Sequence, residues 1–158
     1  MTVKRILAAL VPLLLGAAAP AAAEEIRFGV LPRLSATELT AMFTPLTEHL
    51  SRATGKKVVL VIAKDFDTFE KQVRDGELDL GFANPLVYVQ LKKERDLAPL
   101  ALGAEKKGGT KFRGILVVRK DSGLPDVAAL RGKKLIFVDA DSLGGYISQA
   151  LLLKKQGF

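Results

Sequence analysis

The chain has 158 residues, 49% of them hydrophobic and 26% charged, with 24 Lys and Arg against 17 Asp and Glu for a formal net charge of +7. It contains no Cys and one His. These counts exclude a disulfide framework, a thiol nucleophile, a Cys-based zinc site and an anchor on a lipidated Cys, and one His is too few for a His-based metal cluster.

Lys4 and Arg5 precede an apolar run over 6–15, and Ala21 and Ala23 supply the small-x-small pattern that a signal peptidase reads. Residues 1–23 are therefore expected to be a signal peptide cleaved before Glu24. An uncleaved anchor is the competing reading, but the segment is rich in Ala and carries Pro12 and Pro20, so it would insert weakly. Cleavage leaves a free protein in a Gram-negative periplasm with no direct membrane anchor. The remainder is long enough for one full domain that buries about two-thirds of its unfolded surface.

Residues 26–31 read as a first strand, stopped by Pro32. Ser35 and Glu38 form a capping box. The helix they open carries Leu39, Met42, Phe43, Leu46, Leu50 and Ala53 at spacings of three and four. Pro45 predicts a kink or break inside it, and Gly55 ends it. Residues 58–63 are a second, mostly apolar strand, as expected when both faces are covered. Asp65 or Asp67 caps a short helix with Phe66, Phe69 and Val73 on one face, closed by Gly76. Leu78, Leu80 and Phe82 alternate with smaller or polar residues and mark a third strand. Asn84-Pro85 starts a helix running to about Arg95. Further strands are expected over 97–103, 112–119 and 134–138. A short helical piece covers 127–130, and a helix covers 146–156.

Strands and helices alternate almost throughout, which predicts an α/β fold around a largely parallel sheet. Ligands bind outside the carboxyl ends of such strands. The loops at 31–35, 64–67, 83–85 and 139–145 thus become the candidate site. In 139–145, Asp-Ala-Asp-Ser-Leu-Gly-Gly joins a strand to a helix. Its glycines admit a close ligand, its free amides favour an anion, and Ser142 adds a hydroxyl. An ordinary capped turn explains the same residues, and the spacing matches neither a Walker loop nor a dinucleotide motif. Asn84 and Pro85 could present amides to a ligand or simply start a helix. His49 falls on a polar helix face, and Asp79 reads as a hydrogen-bonding or capping residue. The basic pairs are scattered and no aromatic residues interleave with them, so nucleic acid is not an expected partner. No metal, cofactor or catalytic residue is indicated.

The ordered residues resemble a family. Phe28-Gly29-Val30-Leu31-Pro32, Asp65-Phe66, 76–82, 85–89, Phe112-Arg113-Gly114, 117–123, 130–133 and 137–146 together look like the periplasmic phosphate/phosphite/phosphonate-binding proteins of ABC transporters, with the type 2 periplasmic-binding fold. The resemblance implies two α/β lobes closing on a small oxyanion. The first lobe would span 24–111, and 112–158 would supply a hinge strand and the start of an incomplete second lobe. It implies ligand contacts from Ser142, Leu143, Gly144, Gly145, Phe66, Asn84 and Pro32, and a membrane permease as partner. Four positions depart from the family pattern. Phe66 and Phe112 stand where Tyr is usual, and Ser142-Leu143-Gly144-Gly145 replaces Ser-Thr-Ser-Gly. The family's chain also continues well past Phe158. A ligand-sensing module of a signalling system and a truncated, non-binding product are the alternative readings. An enzyme is not expected, because no paired acids or activated nucleophile stand out.

Overall fold

The computed structural model describes residues 24–104 and 106–158. The expected signal peptide lies outside the described residues. The elements in chain order are β1 (Glu25–Val30), α1 (Ala36–Thr54), β2 (Lys57–Ile62), α2 (Phe66–Arg74), β3 (Leu80–Phe82) and α3 (Pro85–Lys92). A 3₁₀ turn at Ala128–Leu130, a π-helical turn at Leu143–Ile147 and α4 (Ser148–Lys155) follow.

The three strands form a parallel sheet in the order β2-β1-β3. Phe28 of β1 pairs with Leu60 of β2 and Leu80 of β3. Both faces are covered, which is why the strands read as nearly continuous apolar runs. On one face Phe28, Val30 and Val58 pack under Leu39 and Phe43 of α1. The Phe43 ring meets Phe28 edge-on at 5.9 Å and tilts against Phe82 at 5.1 Å. On the other face Leu31 and Ala63 pack under Phe66 and Phe69 of α2 and Val87 and Leu91 of α3. Gly29 points to this second face, where a Cβ would overlap a Leu78 methyl. The fold is thus α/β with helices on both sides of a parallel sheet, the class expected from the alternation of elements.

The helix starts are those the side chains dictate. Ser35 caps α1 in a full capping box with Glu38. Hydrogen bonds from Ser35 hold the Glu38 carboxyl below its ordinary range. Asp65, not Asp67, caps α2 by accepting from the Thr68 N–H at 2.8 Å. Gly76 follows that helix at φ 73°, where a side chain would be strained. Asn84 caps α3 through two bonds to its Oδ1, from the Leu86 and Val87 amides.

Three expectations are corrected. The break at Pro45 does not occur, and α1 runs through it. The ring lies on the exposed side, and the hydroxyls of Thr40, Thr44, Thr47 and Ser51 bond to carbonyls three or four residues back, bracing the turns around the missing N–H. The third strand is cut to three residues, and Asp79 outside it exchanges bonds with the Arg27 backbone at 2.7 and 3.0 Å. The strands expected over 97–103, 112–119 and 134–138 are absent from the described residues. Alternation specifies a face, but a strand also needs a hydrogen-bonding neighbour and a cover. Here Val117 and Ile136 are 80% and 91% exposed, and among the described residues no strand ladder pairs these segments.

Candidate functional site

All three strands point their carboxyl ends to the same edge of the sheet. Leu31 closes that edge by donating its N–H to the Phe82 carbonyl at 2.9 Å. Pro32 follows, partly exposed at the rim. The capped starts of α1, α2 and α3 stand along this edge, each with first-turn amides lacking intrahelical acceptors.

The 139–145 loop is built by its own short bonds. Asp139 Oδ1 accepts from the Asp141 N–H at 2.9 Å, and the Asp139 carbonyl accepts from the Ser142 N–H at 3.1 Å. Ser142 Oγ accepts from the Gly145 N–H at 3.0 Å and so starts the turn that leads into α4. The Ser142 carbonyl then receives both the Tyr146 and Ile147 amides, at 2.9 and 3.1 Å. This double acceptance winds the first turn wider than an α-helix, a feature often found at functional sites. Gln149, buried in α4, donates Nε2 to the Gly144 carbonyl at 2.6 Å and the Ile115 carbonyl at 3.3 Å. It thereby pins the glycine pair to the 112–119 segment. The Phe112 ring lies so close over Gly144 that a Cβ there would sit 2.9 Å from the ring.

Two side chains of the α3 region carry this loop to the sheet edge. Asn84 Nδ2 donates to the Asp141 carbonyl at 3.2 Å, and Gln90 Nε2 donates to Asp141 Oδ1 at 2.9 Å. Asn84 therefore caps α3 with its oxygen and grips the loop with its nitrogen. Of the expected contact residues, Ser142, Leu143, Gly144 and Gly145 are together and partly exposed, with Asn84 next to them. Pro32 lies on the same sheet edge. Phe66 is 6% exposed and packs in the core with Leu31, Ala63 and Phe69.

Sequence reasoning missed Gln90, Gln149 and the bridging role of Asp141. The signal was there: Gln90 is the one polar residue in the run Leu86-Val87-Tyr88-Val89-Gln90-Leu91, where Tyr88 apart every neighbour is aliphatic.

The electrostatics of the edge are mixed. Burial pushes the Glu70 carboxyl up; the Arg74 guanidinium beside it pulls it back, and the charge of Asp141 adds to the upward push. The hydrogen bond from Thr68 holds Asp65 below its ordinary range. Lys107, Lys111 and Arg113 line an open concavity of about 500 Å³ together with Gly108 and Phe112. Phe112 is shared between this basic concavity and the Gly144 turn.

Comparison with known proteins adds a lineage to this geometry. The model of a family described as "ABC transporter, phosphonate, periplasmic substrate-binding protein" matches residues 28–158. The phosphate-import protein PhnD of Mycolicibacterium smegmatis is 30% identical over 140 residues, covering 85% of this chain and 43% of that protein. The tetrathionate sensor histidine kinase TtrS of Salmonella typhimurium is 25% identical over 123 residues, covering 75% of this chain and 21% of that protein. The chain therefore spans less than half the length of these curated relatives. Among solved structures, a binding protein component of an ABC phosphonate transporter from Pseudomonas aeruginosa superposes with a TM-score of 0.43 at 20% identity. That match covers 44% of this chain and 23% of the other.

Proposed function

Since the chain belongs to the family of periplasmic substrate-binding proteins of phosphonate ABC transporters, we propose that it binds a small phosphorus oxyanion for delivery to a membrane permease. Phosphate, phosphite and phosphonates share the chemistry the site can recognise, a compact tetrahedral anion rich in acceptors. The reading places the ligand between a first lobe over 24–111 and a second that begins at 112. It also takes the protein to be exported, with residues 1–23 as the cleaved signal. Among the described residues no helix is long and apolar enough to cross a membrane.

One observation carries the reading. The Ser142–Gly145 turn is held over the carboxyl edge of a parallel sheet, beside the start of α3, by the Asn84–Asp141 contact. The start of the 143–147 turn thus lies close to that of α3. Leu143 and Gly144 contribute first-turn amides, and the Ser142 hydroxyl contributes a proton. The amides suit an anion because their partial positive charge is fixed before the ligand arrives. Lys107, Lys111 and Arg113 lie beyond Phe112 and would raise the encounter rate with anions. In this mechanism binding and closure are the whole cycle, and no bond is made or broken. Leu143 and Gly144 provide no hydroxyls, so specificity falls on backbone amides and Ser142.

Isothermal titration of the purified chain with phosphate, phosphite and methylphosphonate tests this. Saturable binding of at least one is expected. Ser142→Ala should weaken it by roughly ten- to a hundredfold, the usual cost of losing a hydrogen bond to a charged group. Binding of none of them, or an unchanged affinity in the variant, overturns the reading.

A further inference from the structure

α2 packs on α3 and carries a buried carboxylate that anion binding does not use and that the charge of Asp141 reaches. Glu70 lies in α2 at 6% exposure. Its Oε2 accepts from Arg74 Nη2 at 2.7 Å, while its Oε1 is buried with no hydrogen-bond partner. Across the α2–α3 contact, Gln90 has the same defect. Its Nε2 is committed to Asp141 Oδ1, and its Oε1 is also buried without a partner. The junction therefore holds two orphaned acceptors and two carboxylates, and it is short of donors. Leaving such oxygens unpaired is costly, and a proton is the smallest donor that can relieve it.

We infer that Glu70, Gln90 and Asp141 form a proton-sensitive latch, which holds the 139–145 loop against α3 more tightly on the acid side. The charged groups facing Glu70 come from each element packed there. On α2 they are Asp67 and Arg74. Beyond the end of α3, Glu94 accepts from Arg74 Nε at 2.8 Å and competes for the guanidinium. From the loop comes Asp141, whose charge opposes ionisation of Glu70. Protonation of Glu70 removes the repulsion between the two carboxylates, adds a donor to the junction and leaves Arg74 paired to Glu94. Ionisation restores the repulsion, and its outlet is withdrawal of Asp141 together with the loop it belongs to. Burial raises the folded-state proton affinity of Glu70, so the stabilisation is present below the ordinary Glu range and is lost as pH rises through the shifted value.

Amide hydrogen exchange on the full chain, without ligand, tests the latch and stays separate from the question of which anion binds. Protection of residues 139–146, corrected for intrinsic rates, is compared at about pH 5 and about pH 8, with α1 as the internal reference. Several-fold weaker protection at the higher pH is expected in the wild type. Glu70→Gln, which keeps a donor without the charge, should hold the acid-side protection at both values. Asp141→Asn should flatten the response as well. A wild type with no pH response, or a Glu70→Gln chain that keeps the wild-type response while α1 stays protected, overturns the inference.

Discussion

Phe66 shows how one residue can satisfy two descriptions at once. It follows the Asp at a strand end, which is where the family resemblance expects a ligand contact, and it is also the first apolar residue of an amphipathic helix. Its burial against Leu31, Ala63 and Phe69 assigns it to the core. Phe66→Leu should therefore cost about 1–2 kcal/mol of stability in urea denaturation, by lost contacts and a small cavity. Oxyanion affinity measured on the same preparation should stay within about twofold. A loss of affinity without a loss of stability would return Phe66 to the ligand. Ser35 and Asn84 were legible in advance, and the α2 cap was narrowed to Asp65 or Asp67, because capping depends on the few residues around a helix start. Gln90 was harder to read, because its role depends on Asp141, 51 positions away.

At the level of elements, β1 through α3 follow from local chemistry almost completely. Each helix start has its oxygen, each strand its apolar face, and α1 and α2 end beside a left-handed glycine. Asp65 makes one of these starts titratable. Its carboxyl is held below its ordinary range, so the cap stabilises α2 above the ordinary Asp value and fades as pH falls through the shifted one. Asp65→Asn should keep the cap and lose this acid sensitivity, whereas Asp65→Ala should lower the denaturation midpoint at neutral pH. Circular dichroism melts across an acid series distinguish the three chains. Equal acid sensitivity in all of them would assign it elsewhere, for instance to the Glu38 cap of α1. Glu70 shifts in the opposite direction, so α2 contains one group that prefers neutral pH and another that prefers acid. The strands expected after α3 failed for a reason no single element reveals. Their alternation is present in the sequence, but a ladder is a property of two segments, and nothing local states where the second one is.

For the whole molecule this separates two kinds of order. Residues 25–92 have a sheet covered on both faces, whereas 97–138 expose Leu100, Ile115, Val117 and Ile136. Backbone amides of Phe28 and Val30 should exchange only by global opening, and those of 115–118 close to their intrinsic rates. Mass-resolved exchange of the purified chain reads both in one experiment. Slow exchange over 115–118 would mean that these residues are paired in solution. The same contrast explains what sequence could establish about the site. The family likeness runs through both regions and identifies the class of protein, while the 139–145 loop is tied to the ordered region by the contact that two side chains, Asn84 and Gln90, make with Asp141.

That contact has an uneven chemistry. Asn84 holds a main-chain carbonyl, which any residue at 141 would offer, whereas Gln90 holds a carboxylate that belongs to Asp141 alone. One tether is thus indifferent to mutation at 141 and the other is wholly dependent on it. Variation at that position can retune how firmly the loop is held without changing where it is held, so the strength of the attachment and its placement are free to evolve separately.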